Sequence, residues 1–323
     1  MKTIFVTGGA GYVGAHCCKA FAAAGWRVVT FDNLGQGWRD FVRWGQLIEG
    51  DILDPIGLQA AMAEVKPDAV AHFAALISVG DSVTDPASYY RNNSIGAFNL
   101  LEAMRTTGVD KIIFSSTAAT YGVPRMDPIP EDHPQQPINP YGWSKLFVER
   151  MLHDYDAAYG LRSVALRYFN AAGADPDGEI GERHEPETHL IPLAARGALR
   201  DDYAFTIFGT DFDTRDGTCV RDYVHVADLG RAHAAALNYL FDGGASAAFN
   251  LGTGTGTTVK EVADAVERVS GRPLPRRYGP RRAGDPPVLV ASNARAREVL
   301  GWTPQQSGID EIVRTAWAWH TKG

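Results

Sequence analysis

Cysteine is scarce in this chain of 323 residues: Cys17, Cys18 and Cys219 are odd in number and lack CxxC spacing. A disulfide framework and a cysteine-built zinc site are thereby excluded, and a reducing, cytoplasmic setting is expected. Long apolar runs are missing too. No stretch of 18 apolar residues occurs, and the N-terminus starts on a strand-like segment with no small-residue cleavage site, so neither a membrane span nor an export leader is expected. An excess of positive charge is also absent. With 31 Lys and Arg against 38 Asp and Glu the net charge is −7, which argues against nucleic acid or an anionic membrane as the main partner. No internal repeat or low-complexity tract is visible. Among nine histidines, His184 and His189 lie in the polar stretch 183–189 without metal-ligand spacing on a regular element. That stretch reads as a surface loop, and no metal is expected.

What is present is a globular, enzyme-sized chain, 45% hydrophobic, with room for about two domains. The apolar run Ile4-Phe5-Val6 leads into Gly8-Gly9-Ala10-Gly11-Tyr12-Val13-Gly14 and then an Ala-rich helical segment to Ala24. Strand, glycines and helix in that order make a cradle for a pyrophosphate, because glycine lets the backbone approach closely and the helix start offers free N–H groups. Both Gly-x-Gly-x-x-Gly and Gly-x-x-Gly-x-x-Gly spacings are satisfied. Asp32 closes the next strand-like run, 21 residues after Gly11, near the offset at which a carboxylate accepts from the adenosine ribose. It would repel the extra phosphate of NADP, so NAD is favoured. Asp32-Asn33-Leu34-Gly35 is also good turn sequence, and both readings can hold at once.

Short β-rich runs alternate with amphipathic helical ones. Strands are predicted at 3–7, 27–31, 46–49, 69–73, 111–115 and 163–168, and helices near 11–24, 56–65, 86–107 and 141–159. Alternation of this kind implies an α/β fold, a Rossmann-type doubly wound parallel sheet. After Asn170 the character changes. Gly, Pro and Asp thicken through 171–187, then β-like runs at 205–208 and 249–251 interleave with helices at 228–240 and 258–269, the last opening on the capping box Thr258-Val-Lys-Glu261. The expected organisation is a dinucleotide-binding domain over 1–170 and a smaller C-terminal substrate-binding lobe over 171–323, some segments of which return to the first. The one dense basic cluster, Arg276-Arg277 with Arg281-Arg282, falls in a Gly/Pro-rich loop and reads as solvated surface or as a phosphate clamp.

Tyr141 and Lys145 stand four apart at the start of a predicted helix, on one face. An ammonium beside a phenol stabilises the phenolate, and positively charged NAD would push the same way, so Tyr141 is a candidate base. Thr117 follows the run Phe114-Ser115-Ser116 at the carboxyl edge of the expected sheet, where ligands of open α/β sheets bind. It can hold a substrate hydroxyl.

These residues, with 50–52, 72–75, 89–93, 166–170, 217–225 and 281–285, carry a resemblance over nearly the whole chain. The chain resembles the extended short-chain dehydrogenase/reductases, and within them the UDP-glucose 4-epimerases. The resemblance implies NAD held by Gly8, Gly11, Tyr12, Val13, Gly14, Asp32, Asn33, Leu34, Asp51, Ile52, Phe73, Ala74, Ala75, Asn93, Tyr141, Lys145 and Phe169. It places a UDP-sugar against Thr117, Tyr141, Asn170, His189, Leu190, Phe208, Arg221, Arg282, Asp285 and Leu289, the arginines on the pyrophosphate and Asp285 on the uridine ribose. The helical regions 86–107 and 141–159 resemble those that form a homodimeric four-helix bundle. Three positions depart from the pattern. His189 stands where many members have an asparagine that contacts the nucleotide sugar, Leu289 where some have a tyrosine that closes the pocket against N-acetyl groups, and Ile77 where some have a lysine near the cofactor.

The activity implied is 4-epimerisation of a UDP-sugar, foremost UDP-galactose and UDP-glucose, with a UDP-pentose or UDP-N-acetylhexosamine as alternatives. Tyr141 would take the proton of the 4-OH as hydride leaves C4, and the transient 4-keto sugar would turn over and receive hydride on its other face. A nucleotide-sugar dehydratase needs further acid–base carboxylates, whereas Ala118-Ala119 follow Thr117 here. A non-catalytic NAD-sensing regulator would have no need of Thr117, Tyr141 and Lys145 together.

Overall fold

The computed structural model describes residues 1–200, 202–282 and 285–322. Its strands are β1 (Thr3–Thr7), β2 (Arg27–Asp32), β3 (Gln46–Glu49), β4 (Ala69–His72), β5 (Lys111–Thr117), β6 (Arg162–Tyr168), β7 (Asn170–Ala172), β8 (Phe205–Phe208), β9 (Val220–Arg221), β10 (Tyr223–His225), β11 (Ala247–Leu251), β12 (Thr257–Thr258), β13 (Arg276–Gly279) and β14 (Val288–Leu289). The helices are α1 (Tyr12–Ala23), α2 (Pro55–Val65), α3 (Val79–Thr84), α4 (Pro86–Tyr89), α5 (Gly96–Thr107), α6 (Pro140–Tyr159), α7 (Leu190–Leu199), α8 (Val226–Phe241), α9 (Val259–Ser270), α10 (Ala294–Leu300) and α11 (Ile309–His320).

Seven strands pair in parallel in the order β11-β6-β5-β4-β1-β2-β3, a Rossmann-type sheet. Both faces are covered. Ile4 and Val6 of β1 pack with Cys17 and Phe21 of α1 and Leu229 and Leu237 of α8. Phe5, pointing the other way, packs with Leu58 and Met62 of α2, Leu100 and Met104 of α5 and Val148 and Leu152 of α6. Strands buried on both faces carry near-continuous apolar runs, which is why Ile4-Phe5-Val6 stands out in the sequence.

Strand order reverses between β1 and β4, because the chain runs from β1 out to β3 on one side and from β4 to β6 on the other. A crevice therefore opens at their carboxyl ends. β2 and β5 run one and two residues beyond their predicted ends, so Asp32 and Thr117 are the last residues of strands at that edge.

Helix α6 starts on Pro140, with the Asn139 side chain accepting from Gly142 N at 2.8 Å, and stops at Gly160, whose φ of +71° suits glycine. The predicted helix over 86–107 is a correction: α4 and α5 are separated by a π-helical turn, Tyr90–Ile95. Its cause is Asn93, which turns inward, accepts from Leu76 N at 2.8 Å and donates to Leu76 O and Ser144 Oγ at 3.0 Å each.

Beyond β6 a smaller unit has its own core of Ala194 and Ala198 from α7, Phe205 and Ile207 from β8, Val259, Ala263 and Val266 from α9, and Val313 from α11. The capping box is present, Glu261 N donating to Thr258 Oγ1 at 3.0 Å and Thr258 N to Glu261 Oε2 at 2.8 Å. β8 pairs with β13, and β9 lies between β12 and β14. Of the segments after residue 170, α8 and β11 return to the large sheet. No helix among the described residues is long and apolar enough to cross a membrane.

Candidate active site

The cleft along the carboxyl edge of the sheet has a volume of about 1390 Å³ and runs between the two cores. Its floor at one end is the glycine turn after β1. Gly8 has φ +76°, and a Cβ there would stand 2.4 Å from Ala74 N; one on Gly14 would stand 2.1 Å from Gly8 O. Only glycine lets the turn close on itself and on the residue after β4. Above Gly11 the sole neighbour within 4 Å is Gly8 O at 3.4 Å, so this side is open to the cleft. α1 begins without a side-chain cap, which leaves its first N–H groups and the positive end of its dipole for a ligand. An uncapped helix start over a glycine floor fits the pyrophosphate of a dinucleotide.

Asp32 lines the same end, 7% exposed, its carboxylate accepting from Ala10 N at 3.0 Å and Leu34 N at 2.8 Å. Burial lifts its pKa, and the two backbone donors pull it back. The turn and the acidic strand end are one feature, since each oxygen that fixes the loop keeps a lone pair for a ribose hydroxyl. Gly8, Gly11, Tyr12, Val13, Gly14, Asn33, Ile52, Phe73, Ala74, Ala75 and Phe169 also lie on the wall. Leu34, Asp51 and Asn93 do not. Asp51 accepts from Asn33 Nδ2 at 3.1 Å and so acts on a lining residue, and Asn93 holds the Leu76 backbone that borders the cleft.

Thr117, Tyr141 and Lys145 all line the cleft. Thr117 Oγ1 accepts from Ala119 N at 3.1 Å, so its role as a cap coexists with its place on the wall. Burial pushes the Tyr141 phenol up to about 12, the Thr117 hydroxyl working against the rise and Tyr89 adding to it. Lys145 is 3% exposed, donates from Nζ to Ser115 O at 2.9 Å and lies 6.0 Å from the Tyr141 ring centroid. Desolvation brings its pKa down to about 7. In the protein alone, burial therefore outweighs the lowering expected of Lys145 on the phenol. Both side chains share one face, and in the protein alone the amine donates to a strand carbonyl while burial opposes its charge.

At the other end Arg221 of β9 donates to Val220 O at 2.8 Å, Pro286 O at 3.0 Å and Asp285 Oδ1 at 3.3 Å. Arg282 donates to Asp285 Oδ2 at 3.2 Å and stands over the Phe208 ring at 5.2 Å. One carboxylate therefore bridges two guanidinium groups. Leu289 is opposite Arg221 in the β14–β9 pair and is half-buried on the wall, as are Asn170 and Leu190. The basic cluster divides. Arg276 sits on β13 and pairs with Asp264 at 2.6 Å and with Glu267, and Arg281 pairs with Asp211 at 2.7 Å, so of the four arginines Arg282 alone lines the cleft. Ala283 and Gly284, inside the motif 281–285, lie outside the described residues.

The stretch 183–189 is a loop, with Glu185, Pro186, Thr188 and His189 exposed, and it also borders the cleft. Just before it Glu182 is 4% exposed and accepts from His189 Nδ1 at 2.5 Å, while His184 Nδ1 lies 3.4 Å from Glu182 and 3.7 Å from Glu187. Glu182 is held down at about 2 by the two imidazoles against the effect of burial, and His184 is lifted to about 9. Glu182 had no signal in spacing, because its partners converge only when the loop folds back against α1 and α11.

A sequence model of the NAD dependent epimerase/dehydratase family matches residues 4–252. A UDP-glucose 4-epimerase of Rhizobium leguminosarum bv. trifolii is 57% identical over 321 residues, 99% of this chain and 98% of that protein. The crystal structure of UDP-glucose 4-epimerase from Brucella ovis in complex with NAD is 51% identical, covers 98% of both chains and superposes with a TM-score of 0.95. That of a UDP-glucose-4-epimerase from Stenotrophomonas maltophila with bound NAD and formylated UDP-arabinopyranose is 38% identical, covers 99% of this chain and 98% of its own, and gives a TM-score of 0.96.

Proposed function

Because the chain belongs to the NAD dependent epimerase/dehydratase family, we propose that its cleft inverts the C4 centre of a UDP-sugar. It is an isomerase that depends on NAD, and the sugar pair we assign is UDP-galactose and UDP-glucose. The observation that carries the reading is that Thr117, Tyr141 and Lys145 line one cleft with a dinucleotide cradle and an arginine pair. The division of labour proposed is cofactor on residues 1–170 and nucleotide sugar mainly on 171–323.

In this scheme Gly8, Gly11, Tyr12, Val13 and Gly14 hold the pyrophosphate of NAD, Asp32 its ribose, and Lys145 the nicotinamide ribose. Asn33, Leu34, Asp51, Ile52, Phe73, Ala74, Ala75, Asn93 and Phe169 complete that side. When bound, the nicotinamide supplies an acceptor and then a donor for the C4 hydride, and a positive charge within the cleft. Thr117 orients the 4-OH. Tyr141 takes its proton as the C–H electron pair leaves, giving a 4-keto sugar, and returns the proton after hydride arrives on the other face. A phenol lifted to about 12 by the protein alone needs that positive charge to ionise near neutral pH. Arg221 and Arg282 hold the diphosphate, with Asp285 moving to the uridine ribose, while Asn170, His189, Leu190, Phe208 and Leu289 shape the rest of the subsite. The residues next to Thr117 are Ala118 and Ala119, which offer no acid–base group for a dehydratase.

Ile95, Phe98, Trp143 and Phe147, on the π-turn, α5 and α6, are large apolar side chains left exposed, with the Trp143 and Phe147 rings 5.8 Å apart. A patch of this kind supports a homodimer through these helices. Burial of all three cysteines without a disulfide supports a cytoplasmic site of action. The test is to incubate purified protein with a panel of UDP-sugars, hexose, N-acetylhexosamine and pentose, adding no NAD, and to separate the products. Interconversion of UDP-galactose and UDP-glucose is expected; protein that carries NAD and leaves every sugar unchanged overturns the proposal.

A further inference from the structure

The loop between β7 and α7 carries a charged group that the scheme above does not use. Glu182 is a buried carboxylate whose Oε1 meets two imidazoles, His189 Nδ1 at 2.5 Å and His184 Nδ1 at 3.4 Å. Glu187 faces the same two rings at 3.7 Å each. The group is anchored from behind, since Trp319 Nε1 of α11 donates to Glu182 O at 3.0 Å and the Tyr12 ring of α1 packs edge-on against His184. Two carboxylates against two imidazoles close the charge count among themselves once the rings are protonated, so the cluster needs no added cation. His189 alone reaches out of it, its side chain 47% exposed in the cleft.

We infer that Glu182 is a positioning residue that holds His189 by Nδ1 as an imidazolium, so that its Nε2–H is offered to the anionic diphosphate of the substrate beside Arg221 and Arg282. This rests on the proposed UDP-sugar reading and extends it. A carboxylate on one ring nitrogen fixes the orientation of the ring and favours its cationic form, which makes the other nitrogen a charge-assisted donor. The groups facing His189 are Glu182, Glu187 and His184 of its own loop, with Tyr12 of α1 and His320 of α11 behind them. Glu182 and Glu187 raise its pKa; burial and His184 oppose them. Because a raised pKa keeps the cation at higher pH, tight binding is expected to persist through neutral pH and to weaken as pH climbs past the imidazolium.

The test is calorimetric titration of the NAD-loaded protein with UDP between pH 6 and 9, which needs no turnover and so separates this inference from the epimerase reading. Glu182→Gln is expected to weaken UDP roughly tenfold at pH 7.5, to recover most of that loss at pH 6, and to raise KM while changing kcat by less than about twofold. His189→Asn should show only the pH dependence that ionisation of the terminal phosphate of UDP itself imposes, and adding Glu182→Gln to it should change nothing further. A Glu182→Gln defect that is the same at every pH, or that persists in the His189→Asn background, overturns the inference. Should Glu182→Gln fail to fold, wild type against His189→Asn decides: a wild-type pH profile that coincides with the variant's overturns it.

Discussion

Replacing Tyr141 by Phe removes a single hydroxyl from the wall of the cleft, and the structure separates what should survive from what should not. The polar neighbour lost is the Thr117 hydroxyl, a contact worth at most about 1 kcal/mol net, so the fold should hold. NAD content should hold as well, because the Lys145 amine is bonded to Ser115 O at 2.9 Å and not to the phenol. Turnover loses its proton acceptor. Removal of a general base costs at least ~100-fold, about 2.7 kcal/mol of barrier. Wild-type kcat should rise with pH as the phenolate fraction grows, with a midpoint well below the value of about 12 that the protein imposes alone, and the variant should lack that limb. Chromatographic separation of UDP-glucose formed from UDP-galactose, with NAD extracted and quantified from the same preparation, measures both. The reasoning fails if Tyr141→Phe turns over within tenfold of wild type. Should it do so with a midpoint near 7, the acceptor is Lys145, whose amine is brought down to about 7 by burial.

Arg221→Ala should weaken UDP at least tenfold and Arg282→Ala somewhat less, since Arg282 is 59% exposed, with NAD content unchanged in both; unaltered UDP affinity by calorimetry in the two variants removes them from the site. Lys145→Met should flatten the pH dependence of thermal stability measured without cofactor. The folded amine titrates near 7 and the unfolded one near 10.5, so wild type loses stability as pH falls across that window, and an identical slope in the variant refutes the assignment. The unaltered enzyme should also epimerise UDP-N-acetylglucosamine slowly, and Leu289→Tyr should abolish that activity while sparing UDP-glucose; equal loss of both would mean that Leu289 only packs. Phe147→Glu, at an exposed side chain, should give a monomer in sedimentation with little change in melting temperature, and an unchanged mass would place the interface elsewhere.

The parts of this fold that were legible in the sequence are those specified within a few residues. The turn after β1 is forced by the glycines themselves, and α6 and α9 announce their starts with Asn139-Pro140 and the Thr258–Glu261 box. Segments whose shape depends on a distant partner were not legible. The break at Tyr90–Ile95 exists because Asn93 is needed by Leu76 and Ser144, neither of which is a neighbour in sequence. β9, two residues long, has no pattern of its own and is defined by β12 and β14 on either side. Likewise the four arginines of 276–282 look alike in sequence, and only the folded positions of Asp264, Glu267 and Asp211 separate the structural ones from Arg282.

The same distinction explains why the spacing of Tyr141 and Lys145 does not by itself fix their protonation. Helical spacing fixes which face two side chains share, whereas a pKa is set by what surrounds them. In the folded chain the surroundings are apolar on both sides: Lys145 lies over the Phe114 ring at 5.0 Å and Tyr141 meets Tyr89 edge-on at 6.5 Å. Desolvation then opposes charge on each, lifting the phenol and lowering the amine. A site tuned this way keeps its proton on Tyr141 until a cation enters the cleft, and the groups suited to gripping a nucleotide sugar lie away from the reacting centre, on β9 and in the segment that follows β13. In the proposed scheme, a grip on the diphosphate would leave the sugar ring free of strong charge-assisted contacts, as a reaction on both faces of one carbon requires.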